Sequence, residues 1–115
     1  MIIINEERSA ETRESMRGGS GTVTLKEYFP KTAFGAKCRL CTELIIPPGA
    51  GIGQHNHVGE DEIYIIHKGS GIMDDNGTSV KISAGDAVLT GKGAAHSVTN
   101  TGTEDLVITA VIMQY

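Results

Sequence analysis

Gly49-Ala-Gly-Ile-Gly-Gln-His55-Asn-His57-Val-Gly-Glu60-Asp-Glu62-Ile-Tyr64-Ile-Ile-His67-Lys-Gly69 is the stretch whose reading decides the architecture. On an extended strand, side chains two residues apart emerge on the same face, so His55 and His57 point together. Gly59 and the acidic residues around it give the chain room to turn and start a second strand that offers Glu62 to the same side. With His96 further along, the chain holds three imidazoles and one carboxylate in contexts that can converge on one metal ion. On the second strand Glu62, Tyr64 and Ile66 share one face while Ile63, Ile65 and His67 share the other, which predicts that His67 does not touch the metal.

The rest of the chain sets the frame. Its 115 residues fit one domain with a single core. Apolar residues make up 39%, charged residues 21%, and the formal net charge is -4, values of a soluble globular protein that argue against a basic nucleic-acid binder. No apolar run is long enough for a membrane span, and Met1-Ile-Ile-Ile4 gives way at once to Asn5-Glu6-Glu7, unlike a secretory leader. A cytoplasmic protein with no membrane partner is expected.

Fifteen glycines and short β-rich runs between turn residues, with little helical periodicity, predict an all-β sandwich or barrel. The expected strands are 1–4, 22–29, 37–46, 53–57, 62–67, 70–74, 78–82, 87–90, 95–100 and 105–114. Residues 5–20 are polar and read as a loop or short helical turn, so that an N-terminal strand and a polar linker together occupy residues 1–21. Asp74-Asp-Asn-Gly77 is a hairpin signal, because Asn-Gly tolerates the positive φ angles of a tight reversal.

Asp105-Leu-Val-Ile-Thr-Ala-Val-Ile-Met113 is apolar at nearly every position, and Ile63 and Ile65 face away from the side that carries Glu62. Strands apolar on both faces need cover on both, which predicts a homodimer. Cys38 and Cys41 have the spacing of a redox pair but lie in an apolar strand, where they face opposite sides and read as small buried side chains.

A second stretch, Gly85-Asp-Ala-Val-Leu-Thr-Gly91-Lys-Gly93-Ala-Ala-His96-Ser-Val-Thr-Asn100, completes a pair of motifs that resembles the cupin superfamily. The first cupin motif, with Gly, His-x-His, Glu and Gly at fixed spacing, is met at Gly49, His55, His57, Glu62 and Gly69. The second is met at Gly85, Gly93, His96 and Asn100, with Gly91 where Pro is usual. That departure removes a φ restraint from the loop before His96 and leaves the spacing intact. The resemblance spans residues 49–100 and implies a double-stranded β-helix, or jelly-roll barrel, with His55, His57, Glu62 and His96 as metal ligands inside it.

Imidazole nitrogens suit Zn, Cu, Fe and Ni, and the carboxylate also welcomes Mn. Four protein donors saturate a tetrahedral ion but leave two positions on an octahedral one, which favours Mn or Fe and leaves Ni or Zn possible. A divalent ion with one ionised glutamate carries a surplus positive charge, so a small anionic ligand such as a dicarboxylate or 2-oxo acid is expected. Three residues are catalytic candidates. Tyr64 shares the parity of Glu62, with simple packing as the competing reading. Arg39 is a charge in an apolar strand, able to bind the far end of an anion or to reach solvent. Glu60 stands beside the ligand-bearing turn, as a general acid or base or as part of a solvated acidic turn. The resemblance implies a decarboxylase, isomerase or dioxygenase. The alternative is a binding or sensing module for a carboxylate or sugar without turnover, because fold does not determine activity.

Overall fold

Along the strand Leu106–Gln114, Leu106, Ile108, Ala110 and Ile112 are buried while the residues between them are partly exposed. This period of two packs one face of a sheet against another. The computed structural model, which describes Met1–Tyr115, repeats the pattern in ten antiparallel strands. They are β1 (Ala10–Glu14), β2 (Thr22–Glu27), β3 (Cys38–Ile46), β4 (Gly51–Asn56), β5 (Glu60–Lys68), β6 (Ser70–Asp75), β7 (Thr78–Ser83), β8 (Ala87–Gly91), β9 (Ala95–Thr99) and β10 (Leu106–Gln114). One sheet has the order β1-β2-β3-β10-β5-β8 and the other β4-β9-β6-β7. The all-β, two-sheet jelly roll expected from the sequence is the observed fold.

The core is shared by both sheets. Val23, Leu25, Leu44, Ile46, Tyr64, Ile66, Leu106 and Ile108 come from the larger one, and Ile52, Met73, Ile82 and Val98 from the smaller. Burying each aliphatic side chain contributes about 1.5–3 kcal/mol, so this layer dominates the stability. Along β5 the inward face changes character: Tyr64 and Ile66 continue the apolar core, whereas Glu60 and Glu62 are buried carboxylates. The polar end of the sandwich is where the site forms.

The hairpin between β6 and β7 turns on Asn76 and Gly77, with φ of 50° and 96°, and the Gly77 N–H donates to Asp74 Oδ1 at 2.8 Å. Both central residues are left-handed, the geometry that matches the twist of paired strands.

The N-terminus departs from expectation. Residues 1–4 form no strand, and Met1 and Ile2 are exposed with a short 3-10 turn, Asn5–Glu7, behind them. The strand of this region is β1, inside the segment expected to be a linker, and it pairs with β2 in the register Glu11↔Leu25 and Arg13↔Val23. All five of its side chains are exposed, so it is held by backbone pairing and has no apolar alternation to announce it. Its charged residues protect a sheet edge. A 3-10 turn, Met16–Gly18, then leads into β2, with Met16 packed on the core.

Candidate metal centre

His55 lies on β4, His57 just beyond its end, Glu62 on β5 and His96 on β9 opposite His55. Strict alternation would not carry Ile52 and His55 to the same face. The β4–β9 register shifts between them, and this bulge lets buried Ile52 serve the core while His55 and His57 turn to the site. Glu62, His57 and His96 are 4%, 2% and 1% exposed.

The donor atoms of the four side chains lie within 4.8 Å of one another. His57 Nε2 faces His96 Nε2 at 3.0 Å, and His96 Nε2 faces His55 Nε2 at 3.1 Å. Glu62 Oε1 is 3.0 Å from Nε2 of both His57 and His96, yet it is buried without a hydrogen-bond partner.

The opposite ring nitrogens explain this convergence. His55 Nδ1 donates to the Gly53 carbonyl at 2.7 Å, and His57 Nδ1 donates to Glu60 Oε2 at 2.5 Å. Neither acceptor has a proton to give, so each Nδ1 carries the hydrogen, and in the neutral ring that leaves the lone pair on Nε2. His96 Nδ1 has Thr90 Oγ1 at 2.9 Å, a hydroxyl able to accept in the same way. Burial lowers the His55 pKa, which favours its neutral form. Lone pairs and a carboxylate oxygen directed at one point in a buried site lack a positive partner, and a divalent cation fits the donor set.

Arg39 and Glu60, expected separately as an anion anchor and a proton-transfer group, bond to each other. Arg39 Nε and Nη2 each donate to a Glu60 oxygen at 2.8 Å. Glu60 is 8% exposed, not part of a solvated turn, and the Arg39 hydrogen bonds hold its pKa at about 2. It is therefore a fixed carboxylate that orients His57. Arg39 reaches it because the β3–β10 register slips where Leu40 pairs with Ile112 and Cys38 with Met113, leaving Arg39 as the extra residue of a bulge.

Tyr64 is buried at the cavity, with its ring stacked on His96 at 5.1 Å between centroids. Burial, with Glu62 nearby, pushes its phenol pKa well up, so the hydroxyl stays protonated. His67 is exposed on the other face of β5 and bonds with Thr109 Oγ1 at 2.6 Å, outside the cluster as parity requires. Gly91 sits in the ladder opposite Asp61, where a Cβ would stand 1.8 Å from Asp61 Oδ1. The residue usual at this position would displace that carboxylate, which accepts a hydrogen bond from the Tyr115 hydroxyl. Asn100 has a structural part: its Nδ2 donates to the Ile46 and Glu104 carbonyls at 2.7 and 2.8 Å.

Arg13, Met16 and Arg17 also line the cavity that holds His55, His57 and Glu62. Sequence reasoning missed them, having assigned the whole segment to a linker. The available signal was the pair of arginines beside Gly18-Gly19-Ser20-Gly21, a glycine-rich run that permits close backbone approach.

A family model described as a cupin domain matches residues 42–112. The chain is 42% identical over 113 residues to an oxalate-binding protein from Thermotoga maritima, across 98% of this chain and 93% of that protein. The fold superimposes on the crystal structure of a predicted oxalate decarboxylase from Thermotoga maritima with a TM-score of 0.96, at 42% identity over 100% of both chains. A polyketide cyclase from Streptomyces resistomycificus has a TM-score of 0.76 over 99% of this chain and 78% of its own, at 17% identity, a likeness of fold alone.

Proposed function

Because this chain belongs to the cupin family, we propose that it holds a divalent metal ion through His55, His57, Glu62 and His96 and uses it to bind a small dicarboxylate or 2-oxo acid, with oxalate first in line. The observation that carries this reading is the buried, hydrogen-bond-free Glu62 oxygen 3.0 Å from two imidazole nitrogens. Right-angled bonds of about 2.1 Å separate neighbouring donor atoms by roughly 3.0 Å, and tetrahedral bonds of that length separate them by roughly 3.4 Å. The spacings of 3.0 and 3.1 Å are compatible with donors around one ion, and four protein donors leave two open positions only on a six-coordinate ion, which puts Mn or Fe first, with Ni next and Zn a substitute.

When bound, such an ion acts as a Lewis acid toward carboxylate oxygens. The chain's own residues set up the rest. The Nδ1 contacts aim the imidazoles, and Arg39 keeps Glu60 ionised behind His57. One ionised glutamate against a dication leaves a surplus positive charge that an anion relieves. The name of the Thermotoga oxalate-binding relative supports the choice of oxalate.

Binding without turnover fits the cavity better than catalysis. Glu62 is the only carboxylate among the lining residues, and it belongs to the donor set. The second reading, decarboxylation or another turnover of the same ligand, draws on the name of the solved relative and on Tyr64, a buried phenol that retains its proton beside the cluster. Metal analysis of protein purified without chelating resin, followed by calorimetric titration with oxalate, tests the first reading. Protein that takes up no divalent metal, or that takes it up and ignores oxalate, rules it out. Carbon dioxide release without oxygen uptake would establish a decarboxylase instead.

We also propose a homodimer through the outer face of the larger sheet. Cys41, Val111, Ile63 and Leu89 form one cross-strand row there, with Ile65 in the next row, and Ile65 and Leu89 are 43% and 67% exposed. An apolar sheet face of this kind calls for cover. Light scattering should return twice the chain mass of 12.2 kDa, and a monomer would refute the assignment.

A further inference from the structure

The N-terminal segment closes part of the cavity in a backbone conformation that ordinary residues avoid. Arg17 is left-handed, at φ 54° and ψ 28°, and so is Ser15, at φ 49° and ψ 44°. The left-handed region is unfavourable for residues with a Cβ, so the surroundings must hold them there. Backbone hydrogen bonds do: Gly18 N–H to Ser15 O, Gly19 N–H to Met16 O, Ser15 N–H to Gly21 O and Gly51 N–H to Ser20 O, all at 2.9 Å. The segment also lies directly on β4. A Cβ on Gly53 would stand 2.1 Å from the Arg17 carbonyl oxygen, and a Cβ on Gly19 would stand 2.3 Å from that of Gly51. Only paired glycines permit this approach, and it fixes Arg17 against the strand that carries His55.

The cavity has a volume of about 80 Å³. This is room for a small ligand beside the histidine and glutamate cluster. Its lining carries three arginines. Arg39 is neutralised by Glu60, and Arg13 Nη2 donates to Glu11 Oε1 at 2.8 Å. Arg17 is exposed, lies among the residues that line the cavity and takes part in none of the ion pairs.

We propose that Arg17 is a specificity-determining residue, whose guanidinium receives the carboxylate oxygens turned away from the histidine and glutamate cluster and so selects a dianion over a monoanion. The inference rests on the metal and dicarboxylate reading above. The charges decide the class. A dication with Glu62 leaves one surplus positive charge, and Arg17 adds a second. A dianion balances both, whereas a monocarboxylate leaves Arg17 unmatched. Guanidinium offers paired N–H donors to carboxylate oxygens, a geometry that lysine does not reproduce.

The test titrates manganese-loaded protein with oxalate and with acetate by calorimetry, for the parent and for Arg17→Gln, with manganese measured in both. Arg17→Gln should weaken oxalate binding at least tenfold, leave acetate within twofold and leave the manganese content unchanged. Arg17→Lys should recover part of the loss. Gly19→Ala, which keeps Arg17 but lifts the segment from β4, should weaken oxalate in the same direction. Oxalate affinity within twofold of the parent in Arg17→Gln, at equal manganese content, overturns this inference alone. Loss of manganese in that variant overturns it too, because Arg17 would then act through the metal. A parent that takes up manganese yet prefers oxalate no more than acetate overturns the dicarboxylate reading and this inference together.

Discussion

The strands β4, β5 and β9, which carry or lead into the histidine and glutamate cluster, and the N-terminal segment that ends at Gly21 meet at one cavity, but they are built by different means. The strands announce themselves through residue type and spacing, and their buried faces hold them in register. The segment has exposed side chains on β1, two left-handed non-glycine residues and Met16 as its anchor in the core. The first wall is fixed by side chains and the second by backbone contact. A site can therefore be half legible in a chain whose fold is largely legible.

The deepest break in this contrast comes at the ligand wall. His96→Ala should reduce metal content from near one per chain to background, because His96 Nε2 is the atom that faces both other imidazoles and Glu62. Elemental analysis after dialysis against metal checks this, and retained stoichiometric metal would contradict it.

Behind that wall, Glu60→Gln should lower metal affinity by about 10–100-fold, the usual effect of removing a carboxylate that orients a ligating histidine. Competition with a chromophoric chelator measures the loss. An unchanged affinity would mean that His57 needs no orienting partner.

The N-terminal wall breaks differently. Met16→Ala should destabilise the protein by roughly 1–2 kcal/mol, below the range for a fully buried methionine because Met16 is only partly covered. Metal content in the folded state should stay the same. Urea denaturation with metal analysis separates the two readouts, and metal lost together with stability would show the walls to be one unit.

A smaller effect concerns acid. Arg39 holds the Glu60 pKa at about 2 in the folded protein, below its ordinary 4.5. Between those values the unfolded chain binds the extra proton, so stability rises with pH across the window. The contribution is complete above about pH 4.5 and fades as the pH falls toward 2. Metal-free Glu60→Gln should show a shallower loss of stability than the parent on acidification to pH 3, and identical slopes would remove Glu60 from the account. Last, His67→Ala should leave metal content unchanged and shift melting by no more than a degree or two. Any loss of metal there would contradict the strand parity itself.

Much of the fold was legible because burial repeats a local rule along β3, β5 and β10. Parity correctly separated Glu62 and Tyr64 from His67. It carries no information where geometry departs from regular extension, at the β4 bulge between Ile52 and His55 and at Arg39. Met1–Ile4 looked like a strand from composition alone, yet no neighbour pairs with it. The strand lay instead in Ala10–Glu14, whose sequence carries no alternation.

By itself the sequence determined an all-β chain with two glycine-bounded motifs and the identity of a histidine and glutamate cluster, because side-chain direction and turn chemistry are local properties. Only the tertiary structure decided that Arg39 would be committed to Glu60, that Thr90 would stand behind His96, and that Arg13 and Arg17 would reach the cavity. Those outcomes depend on bulges and on glycine backbones in contact across long stretches of chain, and no short-range pattern encodes such meetings.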